Sequence, residues 1–222
     1  FWNNRNARRK QPGTLIYWFK EFLNRVGHDK ATLIMHTDPT DINGPNLHAI
    51  LHDLNLISGE VKFSTEKLDF PQMAALYNMS DVTVNISDAE GFGLSTLESL
   101  SCGVPIVVNM TGGLQEQVTD GEDWFGVGIE PASKCVIGSQ DIPFIYEDRA
   151  NKDDFVNALE KIYNMSKEER EELGRKGAEH VNKNYNFKEY VVKWDALLKD
   201  IHKNHGSWET RKRPLSWQLL EV

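Results

Sequence analysis

Two carboxylates stand eight residues apart in this chain, Glu90 and Glu98, with the loop Gly91-Phe92-Gly93 between them. The surrounding stretch, residues 87–116, reads SDAEGFGLSTLESLSCGVPIVVNMTGGLQE. Glycine at 91 and 93 allows positive φ and a close approach of backbone to a ligand. The helix expected after the loop, with Leu94, Leu97 and Leu100 on its inner side, begins with unpaired N–H groups, and such a start receives anions. Glu98, in the early turns of that helix, can accept from a pair of sugar hydroxyls, and Glu90 sits on the loop before it. One phosphate cradle between two hydroxyl-binding carboxylates is the chemistry a sugar nucleotide requires.

A second chemistry-bearing stretch opens the chain. Residues 3–10 read NNRNARRK, strongly basic and without the glycines of a G-x-G-x-x-G dinucleotide turn. Positive charge at the start of a helix opposes its dipole and calls for an anionic partner. Residues 36–45, HTDPTDINGP, hold His36, which either faces a ligand or is a satisfied strand-end ring, and Asp38 and Asp41, which suit turns. His48 and His52 have the spacing of the two metal histidines in H-E-x-x-H, but Ala49 stands where that motif needs its glutamate. They read as a solvated helix face, and Cys102, before a glycine at a helix end, reads as packing. No Ser/His/Asp arrangement stands out.

Three segments in order, EGFGLSTLE, CGVPIVV and GGLQE, resemble the donor site of the retaining glycosyltransferases of GT-B family four (GT4), which carry an E-x7-E motif in their C-terminal half. The order of features along most of the chain is similar too. The resemblance implies the C-terminal half of a GT-B glycosyltransferase and a nucleoside-diphosphate sugar as donor. It also implies no metal, no cofactor, and departure of the diphosphate on the face that the acceptor attacks. Carried over residue by residue, it gives the ribose hydroxyls to Glu98 and the hexose hydroxyls to Glu90. Backbone N–H groups of Gly91, Phe92, Gly93 and Leu94 meet phosphate and sugar.

Arg5 and Lys10, five apart, match the family's Arg and Lys that hold the diphosphate. A guanidinium fork and an ammonium neutralise charge growing on that leaving group. Arg8 and Arg9, in the same loop, are alternatives for either role. The catalytic set is then Glu90, Arg5 and Lys10. Ser64, with Lys67 nearby, lies where related enzymes grip the base, and Gly113 and Glu116 complete the candidates. The second loop departs from the glycine-rich turn common in the family. Two rivals stay open: another enzyme of this fold, such as a sugar-nucleotide epimerase or a phosphorylase, and a non-catalytic module binding a sugar nucleotide or a protein.

Elements that could position these residues follow from periodicity. Helical spacing spans 12–27, 44–56, 153–164, 167–184 and 187–202, and a helix opens at Pro71. Strands are expected at 1–4, 32–36, 61–63, 82–86, 104–108 and 125–129, and residues 124–145 as cover for a sheet edge. Strands alternating with helices mean an α/β, doubly wound parallel sheet of Rossmann-like type, with its ligand at the carboxyl ends of the strands. The expected division is a nucleotide-sugar-binding domain over 1–185 and a C-terminal helix and tail over 186–222. Trp208 and Trp217 in that tail are candidates for docking on an N-terminal GT-B domain.

The chain has 222 residues, 40% of them hydrophobic, enough for a real core. Its net charge of −8 argues against nucleic acid as partner. Two cysteines suit a reducing compartment, and no run approaches a membrane span. Asn-x-Ser/Thr triplets at Asn78, Asn109 and Asn164 read as chance, Asn109 ending a strand expected to be buried. The reading is cytoplasmic, with membrane association possible through the missing half. The acceptor, whether sugar, glycan, lipid or protein, is not legible.

Overall fold

The computed structural model describes residues 1–206; the expectation placed on Trp208 and Trp217 lies outside them. The first strand, β1 (Trp2–Asn3), is followed by a 3-10 turn at Arg8–Lys10 and then α1 (Pro12–Val26). Pro12 occupies the first turn of α1, where its missing N–H costs nothing. Leu15, Phe19, Phe22 and Leu23 recur at helical spacing and are all buried, and Gly27 at φ 113° ends the helix. The alternation continues with β2 (Leu33–His36), α2 (Leu47–Asp53), β3 (Val61–Ser64), α3 (Phe70–Asn78) and β4 (Thr83–Asn85). Next come α4 (Leu94–Ser101), β5 (Ile106–Asn109), α5 (Leu114–Val118) and β6 (Gly126–Ile129). Helix α2 is shorter than the expected 44–56, because Pro45 and the turns before Asn46 keep the chain out of helix until Asn46 caps Ala49.

Strands β1, β2 and β3 form one parallel ladder, and β4, β5 and β6 another. Two hydrogen bonds join them. The Val84 N–H donates to the Phe1 carbonyl at 2.9 Å, and the Phe1 nitrogen donates to the Val82 carbonyl at 2.7 Å. The spatial order is therefore β3-β2-β1-β4-β5-β6, a doubly wound arrangement whose direction reverses between β1 and β4. Ligands of such sheets bind outside the carboxyl ends at that reversal.

Helices cover both faces. On one, Trp2, Ile86 and Val107 from the strands pack with Leu15 and Phe19 of α1, Leu47 of α2 and, from α6 (Lys152–Tyr163), Phe155 and Ile162. On the other, Phe1, Tyr77 of α3 and Val104 form a smaller cluster. Each fully buried large side chain contributes about 1.5–3 kcal/mol of burial free energy. Helix α4 corrects the sequence reading. Thr96, Ser99 and Leu100 are its buried residues, whereas Leu94 is 67% exposed. Beside Leu100, two hydroxyls rather than Leu94 face inward, because Thr96 and Ser99 have polar partners there: Gln117, and Thr83 with the Val104 carbonyl.

Residues 124–145 were expected to cover a sheet edge. After β6 they instead begin an antiparallel hairpin, β7 (Ser133–Ile137) and β8 (Ile145–Arg149), whose strands pair with each other. Helix α7 (Lys167–Asn184) starts with the expected capping box. Glu169 accepts from the Ser166 N–H at 2.7 Å, and its own N–H donates to the Ser166 hydroxyl at 3.2 Å.

The chain divides into two compact units, the first running from Phe1 to Asn182. Within the second, α8 (Phe187–His205) is amphipathic in sequence, carries Tyr190, Trp194, Leu197 and Ile201, and has no buried residue. No helix among the described residues is long and apolar enough to cross a membrane.

Candidate functional site

Five loops gather at the carboxyl ends of β1 to β5. From the first comes Lys10, in the 3-10 turn after β1, with its ammonium ion-paired to Glu90. Both side chains are only 10% exposed. Burial holds the Lys10 ammonium below its usual range, with Glu90 pulling in the opposite direction. Arg9 adds a second positive charge, 3.8 Å from the same Glu90 oxygen, and donates to the Ala89 carbonyl at 2.7 Å. The lysine and glutamate singled out 80 positions apart in the sequence therefore meet.

Arg5 is placed differently. Its Nε donates to Asp41 at 2.7 Å and its Nη2 to the other carboxylate oxygen at 3.3 Å, while 65% of the side chain stays exposed. Asp41 does form a turn, accepting from the Asn43 N–H at 2.9 Å, and it also holds this arginine. Asp38 caps its own turn through Thr40. His36 and Ser64 end adjacent strands, with Nδ1 2.9 Å from the serine hydroxyl. Burial lowers the basicity of that imidazole.

The glycine loop has two different glycines. Gly93, at φ 89°, is the N-cap of α4, and a Cβ there would come within 2.6 Å of Leu114. Gly91, contrary to expectation, does not take a positive φ, and a Cβ on it would meet nothing within 4 Å. Its small side belongs to open space rather than to backbone strain. The loop is held from below by the second glycine pair. A Cβ on Gly112, itself at φ 51°, would fall 1.7 Å from the Glu90 carbonyl oxygen, and one on Gly113 would fall 2.9 Å from the Phe92 backbone. Buried Gln117 completes the support: its amide donates to the Phe92 carbonyl at 2.7 Å and the Gly93 carbonyl at 3.2 Å, and its oxygen accepts from Thr96 at 2.6 Å. The Phe92 side chain is partly exposed above this platform. Glu116 is exposed on α5, and its carbonyl lies 3.0 Å from Nε2 of His180.

Glu98 stands exposed on α4, one carboxylate oxygen accepting from the Tyr77 hydroxyl at 2.8 Å. That hydroxyl in turn accepts from the Asn3 amide at 2.9 Å.

A set of charges that the sequence did not mark ties the hairpin to this rim. Arg8 forks onto Glu147 of β8, with Nη1 3.0 Å and Nη2 2.5 Å from the two oxygens. Arg149 bridges Glu147 and Asp88, 2.7 Å from each, and the Gln11 amide donates to Asp88 as well. Glu147 and Asp88 are both buried. The Arg8 guanidinium holds the Glu147 carboxyl below its ordinary range, whereas burial pushes Asp88 up. Asn109, also buried, donates to the Ser87 carbonyl at 3.0 Å and the Asp148 carbonyl at 2.8 Å. The Arg8 fork is thus turned toward the hairpin. A charged E-D-R triplet at a strand end looks like a solvated edge in sequence; its partners lie about 60 and 140 residues upstream, so spacing gives no signal.

A cavity of about 480 Å³ lies toward the amino ends of β2 and β4, among Phe19, Phe22, Val82 and Leu159. Its lining is mostly apolar and includes none of the candidate residues. The chemistry is on the carboxyl rim, where an ammonium, a guanidinium and two carboxylates surround a backbone loop at the start of a helix. Such a set can hold an anionic diphosphate on one side and hydroxyl groups on the other.

Residues 52–180 match the family model described as "Glycosyl transferases group 1". Over 110 residues the chain is 31% identical to a D-inositol 3-phosphate glycosyltransferase of Paenarthrobacter aurescens, covering 50% of this chain and 22% of that protein. Over 98 residues it is 29% identical to an N-acetyl-alpha-D-glucosaminyl L-malate synthase of Bacillus anthracis, covering 44% and 25%. Among solved structures, a sucrose-phosphate synthase from Thermosynechococcus elongatus superposes with a TM-score of 0.71 at 22% identity, over 91% of this chain and 45% of that one. A pneumococcal O-GlcNAc transferase in complex with UDP and GlcNAc superposes at 0.64 and 19% identity, over 90% and 35%. The fold is that of GT-B glycosyltransferases, and the chain spans less than half the length of each of these proteins.

Proposed function

This chain belongs to the glycosyl transferases of group 1, and from that premise we propose that it is the donor-binding half of a GT4-type enzyme that transfers a hexose from a nucleoside-diphosphate sugar with retention of configuration. The observation that carries the reading is the meeting of Lys10 and Glu90 at the point where the sheet reverses, with Glu98 exposed on the adjoining helix. Lys10 exchanges Glu90 for the diphosphate, and Arg5 leaves Asp41 to add its fork. Glu90, released, accepts from the hexose hydroxyls, and Glu98 accepts from the ribose. Backbone N–H groups at Gly91 to Leu94 face phosphate and sugar, and Ser64, at the end of β3, lies beside the base.

In the transfer, the bond from the anomeric carbon to the diphosphate oxygen breaks, and its electron pair stays on the leaving diphosphate. The acceptor oxygen bonds to the same carbon on the same face, and its proton leaves toward the departing phosphate oxygen. The protein's contribution is to neutralise charge developing on the diphosphate, with Lys10 and Arg5 in place of a metal or other cofactor. The acceptor and the remaining groups come from an N-terminal domain, against which the apolar residues of α8 are available. The free cysteines, Cys102 and Cys135, fit a cytoplasmic setting.

Calorimetric titration with UDP, GDP, ADP and their sugar conjugates, with and without EDTA, tests this. One nucleotide class should bind selectively, unaffected by EDTA, with affinity lost in Glu98→Ala. Absence of binding to every one of them would overturn the reading for this chain.

A further inference from the structure

We propose that Tyr77 is a positioning residue that sets the nucleotide site's preference for ribose over deoxyribose. The inference rests on the reading of Glu98 as the ribose-holding carboxylate and deepens it.

Three elements converge here: Asn3 at the end of β1, Tyr77 on α3 and Glu98 on α4. Asn3 donates its amide N–H to the Tyr77 oxygen at 2.9 Å, so that oxygen is already an acceptor. The phenol has one proton, and the carboxylate 2.8 Å away has none to give, so the proton points to Glu98. The tyrosine is buried at 1% exposure and cannot swing aside, since its ring meets Phe1 edge-on with centroids 5.1 Å apart. Burial first, and Glu98 in addition, push its phenol far above the ordinary range, so it remains a proton donor at any working pH.

An exposed glutamate on a helix samples several rotamers, and a ligand that needs one of them must restrict it. Here the tyrosine does this beforehand. It occupies one oxygen of Glu98 and leaves the other, with the outward lone pairs, to the cis-diol of a ribose. A carboxylate held in this way rewards both hydroxyls of the ribose, and a 2′-deoxy ring, which keeps only its 3′-hydroxyl, gains less. Asn3 lies two residues before Arg5, so the same chain of bonds also joins the ribose side of the site to the loop that holds the diphosphate.

The test compares the intact chain with Tyr77→Phe, titrating the nucleoside diphosphate that binds best and its 2′-deoxy counterpart. Wild type should prefer the ribose form. In Tyr77→Phe the affinity for the ribose form should fall about tenfold, one hydrogen bond to a charged group, while that for the deoxy form, which keeps only one of the two hydroxyls, falls by a smaller factor. The ratio is the reading, because general loosening of α3 would weaken both ligands alike. Equal loss for both, or none for either, overturns the role given to Tyr77. Glu98→Ala separates this failure from failure of the underlying assignment: if wild type prefers ribose and Glu98→Ala keeps that preference, Glu98 is not the ribose ligand, and both inferences fall together.

Discussion

At the scale of single residues, the two cations assigned to the diphosphate are not equivalent. Lys10 is enclosed beside Glu90, whereas Arg5 lies mostly in solvent with Asp41 on its fork. Lys10→Ala is expected to weaken binding of a nucleoside diphosphate by about 2 kcal/mol, and Arg5→Ala by less than about 1 kcal/mol, since solvent already screens that pair. Asp41→Asn, which loosens Arg5, should leave affinity unchanged or raise it. Calorimetry on the three variants checks the order, and a larger loss in Arg5→Ala would reverse the assignment. Lys10 was singled out through the family resemblance, and Glu90 and Glu98 through the glycine loop and helix start beside them; the structure brings Lys10 and Glu90 together. Tyr77 and Gln117 were not legible in the sequence. They act on segments distant along the chain, and a tyrosine or glutamine inside an apolar run looks the same whether it packs or donates.

At the scale of elements, the glycine loop between Glu90 and α4 rests on a second backbone as well as on the Gln117 side chain. Gly112→Ala should therefore cost more than an ordinary surface change: its Cβ would collide with the Glu90 carbonyl, and φ 51° suits only glycine well. A lower melting temperature together with loss of nucleotide binding is the expected result; Gly91→Ala, with open space around it, should fold normally. The hairpin makes a different prediction. Removing the Glu147 carboxylate leaves Arg8 and Arg149 without their shared partner, and Glu147→Gln should destabilise the chain by about 2–3 kcal/mol near neutral pH. Because the folded carboxyl lies below its unfolded value, this stabilisation is fully present above the ordinary carboxylate range and is lost as pH falls through the depressed folded value. Denaturant titrations of wild type and Glu147→Gln should therefore converge on acidification. Asp88, raised by burial, works in the opposite sense but is common to both proteins. Apolar periodicity located the parallel strands. It did not locate the hairpin, whose outer positions Val136, Phe144 and Tyr146 face solvent and whose base is fastened by charge.

At the scale of the whole molecule, the site exists because two ladders meet at β1 and β4, and that junction depends on packing behind it. Leu159→Ala on α6 removes part of the layer that α1 and α6 press onto the sheet, and should cost about 2–4 kcal/mol by chemical denaturation. The doubly wound order could be expected from the alternation of strands and helices, while the reversal between β1 and β4 appears only once Phe1 is seen bonded to residues 82 and 84. The first loop holds four positive side chains in a molecule of net charge −8. Arg5 faces Asp41, Arg8 faces Glu147, and Arg9 and Lys10 share Glu90. The charges on the rim are thus close to balanced among its own side chains. Added salt weakens these internal pairs and the pairs that would replace them in similar measure. Affinity for a sugar nucleotide should change little as ionic strength is raised, and free inorganic phosphate, offering charge but no sugar to repay the displaced carboxylates, should compete poorly for the same place.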